Sequence, residues 1–143
     1  SSGTDLYRAD PLTGIVSASY DIVESSGLGA LAYDIGRNAI WAGWDDSSGI
    51  VRLIHLDGSK DVTSTTEEFL APEAASPIGL DDGLAYDAGD DTLYISDDVA
   101  STIHHYTSSG THLGDFAKAP GSTCGNSGLG GRRSPGPCDA GLG

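Results

Sequence analysis

Apolar and polar positions alternate with a period of two over short runs, and most runs end at Gly, Asn, Asp or Pro. Short runs of this kind, bounded by turn residues, predict β-strands rather than helices. The pattern also repeats. Leu31-Ala32-Tyr33-Asp34 recurs as Leu84-Ala85-Tyr86-Asp87, 53 residues later. At the same offset Gly36 becomes Gly89, and Ile40-Trp41 becomes Leu93-Tyr94. Further on, Asp57-Gly58 aligns with Ser109-Gly110 at an offset of 52, and Phe69 aligns roughly with Phe116. Matched features in the same order across a unit of this length mark an internal repeat.

Each unit reads as four short strands. The first is Ala30–Asp34 or Gly83–Asp87, the second Ala39–Trp44 or Thr92–Ser96, and the third Ile50–Leu56 or Thr102–Thr107. A weaker fourth strand ends near Phe69 or Phe116. Such spacing suits an antiparallel meander, and Pro72, Pro77 and Pro120 fall between units, where they interrupt no ladder. The N-terminal stretch fits the same frame as a third strand and turn (Leu6 to Gly14) followed by a fourth strand (Ile15 to Ile22). Gly128-Leu129 resembles the opening of one more first strand. The expected organisation is all-β: a half unit (the third and fourth strands) over 1–28, a unit over 29–70, a linker over 71–82, a second unit over 83–117, and the start of a further unit with a Gly/Pro-rich tail over 118–143.

Composition narrows the function classes. The length of 143 residues allows one domain. Seven basic side chains against 21 acidic ones give a net charge of −14, which repels phosphate, and Arg132-Arg133 is too small for a nucleic-acid-binding stripe. No apolar run approaches the ~18 residues of a spanning helix, so a membrane span is not expected. An acidic, Met-free, Gly/Ser/Thr-rich chain points to an extracellular setting, secreted or at a cell surface. There a disulfide between Cys124 and Cys138 would close a short loop and stabilise it by about 3 kcal/mol.

The order Gly-Leu-Ala-Tyr-Asp, Asp-Asp-Thr-Leu-Tyr-Ile-Ser-Asp-Asp, Thr-Ile-His-His-Tyr and Ser-Gly over residues 83–110 is similar to the NHL, YncE and PQQ-like repeats of β-propellers. The Leu-Tyr-Arg-Ala-Asp-Pro-Leu-Thr-Gly stretch at 6–14 looks like the outer-strand turn of PQQ-like blades. The resemblance spans roughly residues 5–129 and implies four-stranded propeller blades. It implies no catalytic residue, since no quinone-ligand, lactonase or lyase pattern can be placed here. A closed propeller has about 4–8 blades, and two whole blades plus partial ones cannot close a ring alone. Open sheet edges of this kind invite pairing with another chain, into a ring if the rotation closes and a filament if it does not.

The candidate chemistry is sparse. Aspartates crowd residues 81–98, with Asp34, Asp45 and Asp46 at comparable places in the first unit. Carboxylates packed this closely suit a hard, oxygen-liking cation, so Ca²⁺ is the expected ion, held by Asp45-Asp46 and Asp97-Asp98. Aspartates that simply favour turns and keep edges soluble are the plainer reading. His104 and His105 are neighbours on a strand, so they point to opposite faces and cannot share one metal. Gly27-Leu28-Gly29-Ala30-Leu31-Ala32 matches a loose dinucleotide fingerprint but opens a strand, and Gly125-Asn126-Ser127-Gly128 sits in a chain too short for a serine-protease fold. Aromatic side chains recur at matching positions as inter-blade core, with Trp44 the candidate for a carbohydrate-stacking platform. Together these features predict a non-enzymatic structural or adhesion module that self-assembles as a homo-oligomer or polymer, is stabilised by Ca²⁺ and contacts a carbohydrate or cell-surface ligand. The alternative is a fragment of a larger propeller that binds a small ligand or acts as a hydrolase.

Overall fold

The computed structural model describes residues 4–23, 28–44, 48–72, 83–97 and 102–117. Every element in them is a strand. Strands β1 (Thr4–Ala9) and β2 (Val16–Val23) form a two-stranded antiparallel sheet. Strands β3 (Leu28–Asp34), β4 (Ala39–Trp44), β5 (Ile50–Leu56) and β6 (Val62–Leu70) form a four-stranded meander in sequence order. Strands β7 (Gly83–Asp87), β8 (Thr92–Asp97), β9 (Thr102–Thr107) and β10 (His112–Ala117) form a second meander of the same order. These are two propeller-type blades and a two-stranded sheet. The first strands of the two blades, β3 and β7, lie against each other.

The turns show why the sequence repeats. Asn38 and Asp91 occupy equivalent left-handed positions, at φ 50° and 60°, in the β3–β4 and β7–β8 hairpins. Short polar side chains tolerate that conformation best among non-glycine residues. Their carbonyls accept matching bonds, from the Leu56 amide at 3.2 Å and the Ser108 amide at 3.0 Å. The outer hairpins match as well. Asp57 and Thr107 each pair by backbone with the residue four positions on, and Lys60 and Gly110 take up the left-handed position, at φ 66° and 89°. The counterpart of Gly110 is therefore Lys60 rather than Gly58, because β5 runs further than β9 before it turns. The β1–β2 turn also carries a left-handed residue, Gly14 at φ 70°, bonded back to Asp10.

Glycine is required at 110 for two reasons. A side chain there would start 2.5 Å from Cβ of Phe69 in the first blade, and the left-handed backbone adds strain.

Blades pack face to face. Trp41, Val51 and Leu53 of the first blade meet Leu93, Ile95 and Tyr106 of the second in one buried cluster, completed by Ala39 and Ala71. Burial of each large side chain contributes roughly 1.5–3 kcal/mol. Phe69 fills the seam between Trp41 and Tyr106, with ring centroids 6.5 Å and 5.7 Å away. The opposite face of the first blade carries a smaller cluster of Ala42, Trp44 and Ile54, on which Leu6 and Ile22 of the two-stranded sheet pack. The larger seam thus joins complete blades, and the smaller joins a blade to a sheet half its width.

Candidate functional site

The repeat lets each blade face be compared with its counterpart, and the comparison locates the exposed surfaces. Trp41 and Phe69 correspond to Tyr94 and Phe116, whose rings lie 6.1 Å apart on the second blade. The first pair is covered by the second blade. Phe116 is 53% exposed, and beside it the Tyr94 and His105 rings stack at 4.3 Å and 6°. On the other side, Leu31 and Tyr33 correspond to Leu84 and Tyr86. The latter pair is packed against the inter-blade core, whereas Leu31 and Tyr33 are 44% and 46% exposed. Ile35, next along that face, is exposed too. The two-stranded sheet covers the outer part of this face and leaves its inner strand open. A pocket of about 230 Å³ lies in the gap, lined by Leu6, Tyr20, Tyr33, Ile40, Val62 and Lys60.

Polar side chains hold the two-stranded sheet at the rim of that pocket. Arg8 Nη1 donates to Asp61 Oδ1 and to the Ser59 carbonyl, each at 2.8 Å. The Tyr20 hydroxyl also donates to Asp61, and this bond to a carboxylate pushes the tyrosine pKa up. Lys60 Nζ donates to Tyr33 Oη at 2.6 Å and to Asn38. Arg8 is thus engaged in joining the two sheets, and Lys60 in bonds within the first blade.

A second network spans the two blades. Asp34 is fully buried, and its carboxylate accepts from the Arg37 amide at 2.9 Å, Arg37 Nη1 at 2.7 Å and Trp41 Nε1 at 3.2 Å. Burial raises its pKa, but the hydrogen bonds and the guanidinium outweigh burial and leave it below the usual carboxylate value. Arg37 continues across the seam to Asp91 in a two-pronged pair at 2.7 Å and 2.9 Å. Tyr86 and Ser108 donate to the same Asp91 carboxylate. Arg37, Ser108 and Tyr86 together hold the Asp91 pKa far below its ordinary value. The Arg37 guanidinium links a carboxylate of one blade to a carboxylate of the other, so the network is a clamp.

Of the residues expected to bind Ca²⁺, Asp45, Asp46 and Asp98 lie outside the described residues, as do Cys124 and Cys138. Asp97 ends β8 and is 6% exposed, on the face toward the first blade. Trp44 is corrected: it is 1% exposed in the smaller core cluster, with the Arg52 guanidinium 4.6 Å from its ring centre. The two-stranded sheet covers it, so it forms no stacking platform. His104 and His105 do face opposite sides.

A constellation missed in the sequence forms on the β9–β10 hairpin. Asp115 Oδ1 lies 2.7 Å from His104 Nδ1 and 2.8 Å from His112 Nε2. The donor atoms of all three residues fall within 4.8 Å of one another. The β9–β10 register slips between His112 and Gly114, which brings His112 onto the same face as Asp115. The signal was present as Gly114 between histidine and aspartate, but a bulge cannot be placed from sequence alone.

No protein-family model matches the chain, and no curated protein matches it. Solved structures do. A protein from Lactobacillus plantarum aligns over 76% of this chain and 31% of its own, at 13% identity and a TM-score of 0.51. Saccharomyces cerevisiae Sqt1 aligns over 73% of this chain and 26% of its own, at 11% identity and TM-score 0.45. Kuenenia stuttgartiensis hydrazine synthase aligns over 78% and 29%, at 12% identity and TM-score 0.44. The shared fold is of β-propeller type. The chain spans less than a third of each of these structures. Among the described residues, no helix is long and apolar enough to cross a membrane.

Proposed function

We propose that this chain is a non-enzymatic structural or adhesion module whose propeller blades stack head to tail between copies. The observation that supports it is the pair of exposed faces. Tyr94 and Phe116 repeat the Trp41 and Phe69 surface that a following blade covers within the chain, and Leu31 and Tyr33 repeat the Leu84 and Tyr86 surface that a preceding blade covers. The two ends therefore differ, and an end-to-end contact is heterologous, giving a ring or a filament. A second copy would add strands by backbone pairing at the β1 edge, on the side away from β2. In this reading the blades are of the NHL, YncE or PQQ-like kind and the protein works outside the cell or at its surface. Ca²⁺ on Asp45, Asp46, Asp97 and Asp98 would reinforce the loops after β4 and β8.

The test is light scattering with negative-stain microscopy, with and without a calcium chelator, on the chain and on Tyr7→Pro. Proline in β1 removes an amide donor from the strand. Rings or filaments that shorten or vanish in Tyr7→Pro support edge pairing. Particles unchanged by the substitution overturn it, and particles unchanged by chelation overturn the role of calcium.

A further inference from the structure

We propose that His104, His112 and Asp115 form a binding site for a late divalent transition-metal ion, with Zn²⁺ the probe of choice. Two imidazole nitrogens and one carboxylate oxygen converge, at 2.7 Å and 2.8 Å from the shared Asp115 Oδ1. Zinc takes such donors at about 2.0–2.2 Å in a tetrahedron, which places neighbouring donors about 3.3 Å apart. The three atoms already lie within 4.8 Å of one another, so side-chain adjustments on the order of 0.5–1.5 Å, within reach of rotamer changes, make room for the ion. Imidazole suits zinc, copper and nickel and is a poor ligand for calcium, so this site is chemically distinct from the aspartate loops.

The scaffold is set for it. His104 is 5% exposed and fixed in β9, His112 lies against the Tyr106 ring at 5.0 Å, and the Asp115 side chain is 47% exposed. The open side at Asp115 admits water as the fourth ligand. Metal binding moves the ring proton of His104 to Nε2, a buried atom without a hydrogen-bond partner in the structure. Burying an unpaired N–H weakens the bound state relative to a site whose outer ring nitrogen is paired. A bound ion ties β10 to β9 and braces Tyr106, whose ring packs on Phe69 across the blade seam. Its role is to stiffen the outer hairpin.

Zinc chloride is titrated into the full chain at neutral pH by calorimetry, with the histidine imidazole resonances followed by NMR. The expected result is one ion per chain at micromolar affinity, with His104 and His112 signals shifting and His55 unmoved. His112→Ala and Asp115→Ala each weaken binding by at least about tenfold. His55→Ala and the Cys124→Ser/Cys138→Ser double variant bind as the unmodified chain does, and millimolar calcium does not compete. No binding, full binding by His112→Ala, or loss of binding in the cysteine variant would each overturn the site. The NMR arm uses the unmodified chain, so a poorly folded variant leaves the test intact: shifts at His55 without shifts at His104 and His112 refute it.

Discussion

Replacing Arg37 with alanine removes the guanidinium that pairs with the buried Asp34. The Asp34 side chain is 0% exposed and that of Arg37 38% exposed, so the pair is neither a surface bridge nor a fully enclosed one. Breaking a fully buried pair costs about 3–5 kcal/mol, and exposed pairs contribute about 0–1 kcal/mol. Asp34 keeps two N–H donors after the change, from residue 37 and Trp41, which lowers the loss. About 2–3 kcal/mol of destabilisation is therefore expected for Arg37→Ala by urea unfolding. The Asp91 prong lies in the open, and an Arg37/Asp91 double-mutant cycle should give a coupling of only about 0.5–1 kcal/mol. Salt separates the two, since molar NaCl screens the Asp91 contact and leaves most of the Asp34 contact. Both carboxylates have lowered pKa values in the fold. Their stabilisation is then present above the ordinary carboxylate value near 3.9 and is lost as pH falls through the lower folded values. In Arg37→Ala the acid limb of the stability curve should move to higher pH. A loss below about 0.5 kcal/mol with an unmoved acid limb would refute the clamp.

Three other outcomes follow from the packing. Gly110→Ala meets Phe69 across the seam and takes a left-handed backbone, so it should lose more than about 1 kcal/mol in urea unfolding; a neutral result would mean the blades are not seated as described. Trp44→Ala opens a cavity in the smaller cluster and should cost about 3–5 kcal/mol with no change in sugar binding, read by thermal unfolding and a glycan array; an unchanged melting temperature would restore Trp44 to the surface. Phe116→Asp places a charge on the uncovered face, so it should leave the far-UV spectrum of the single chain intact and weaken association, read by size-exclusion chromatography; unchanged association would remove that face from the contact.

Strand positions were legible because a period of two, broken by turn residues, is a local property. The expected β4, β5, β7 and β9 match the structure residue for residue. What crosses between blades was not legible. Arg37 and Asp91 are 54 residues apart, and only the packed seam places a guanidinium between two aspartates. Asp34 and Asp87 look alike in the repeat, yet Asp34 is buried and Asp87 exposed, because the second blade covers that face of the first blade and the matching face of the second is uncovered. The offset at Asp57 was misjudged because β5 and β9 differ in length ahead of an otherwise matching turn. Trp44 stood out because its repeat partner is Asp97; a sheet from the N-terminal stretch covers it, a contact no spacing reveals. The histidine–aspartate cluster depends on one bulge.

Sedimentation velocity of the full chain across a wide concentration range tests head-to-tail stacking most directly. Stacking through the uncovered faces predicts sedimentation coefficients that rise with concentration, either to one discrete ring or without limit as filaments grow. A single species at the mass of one chain, 14.6 kDa, at every concentration would contradict it.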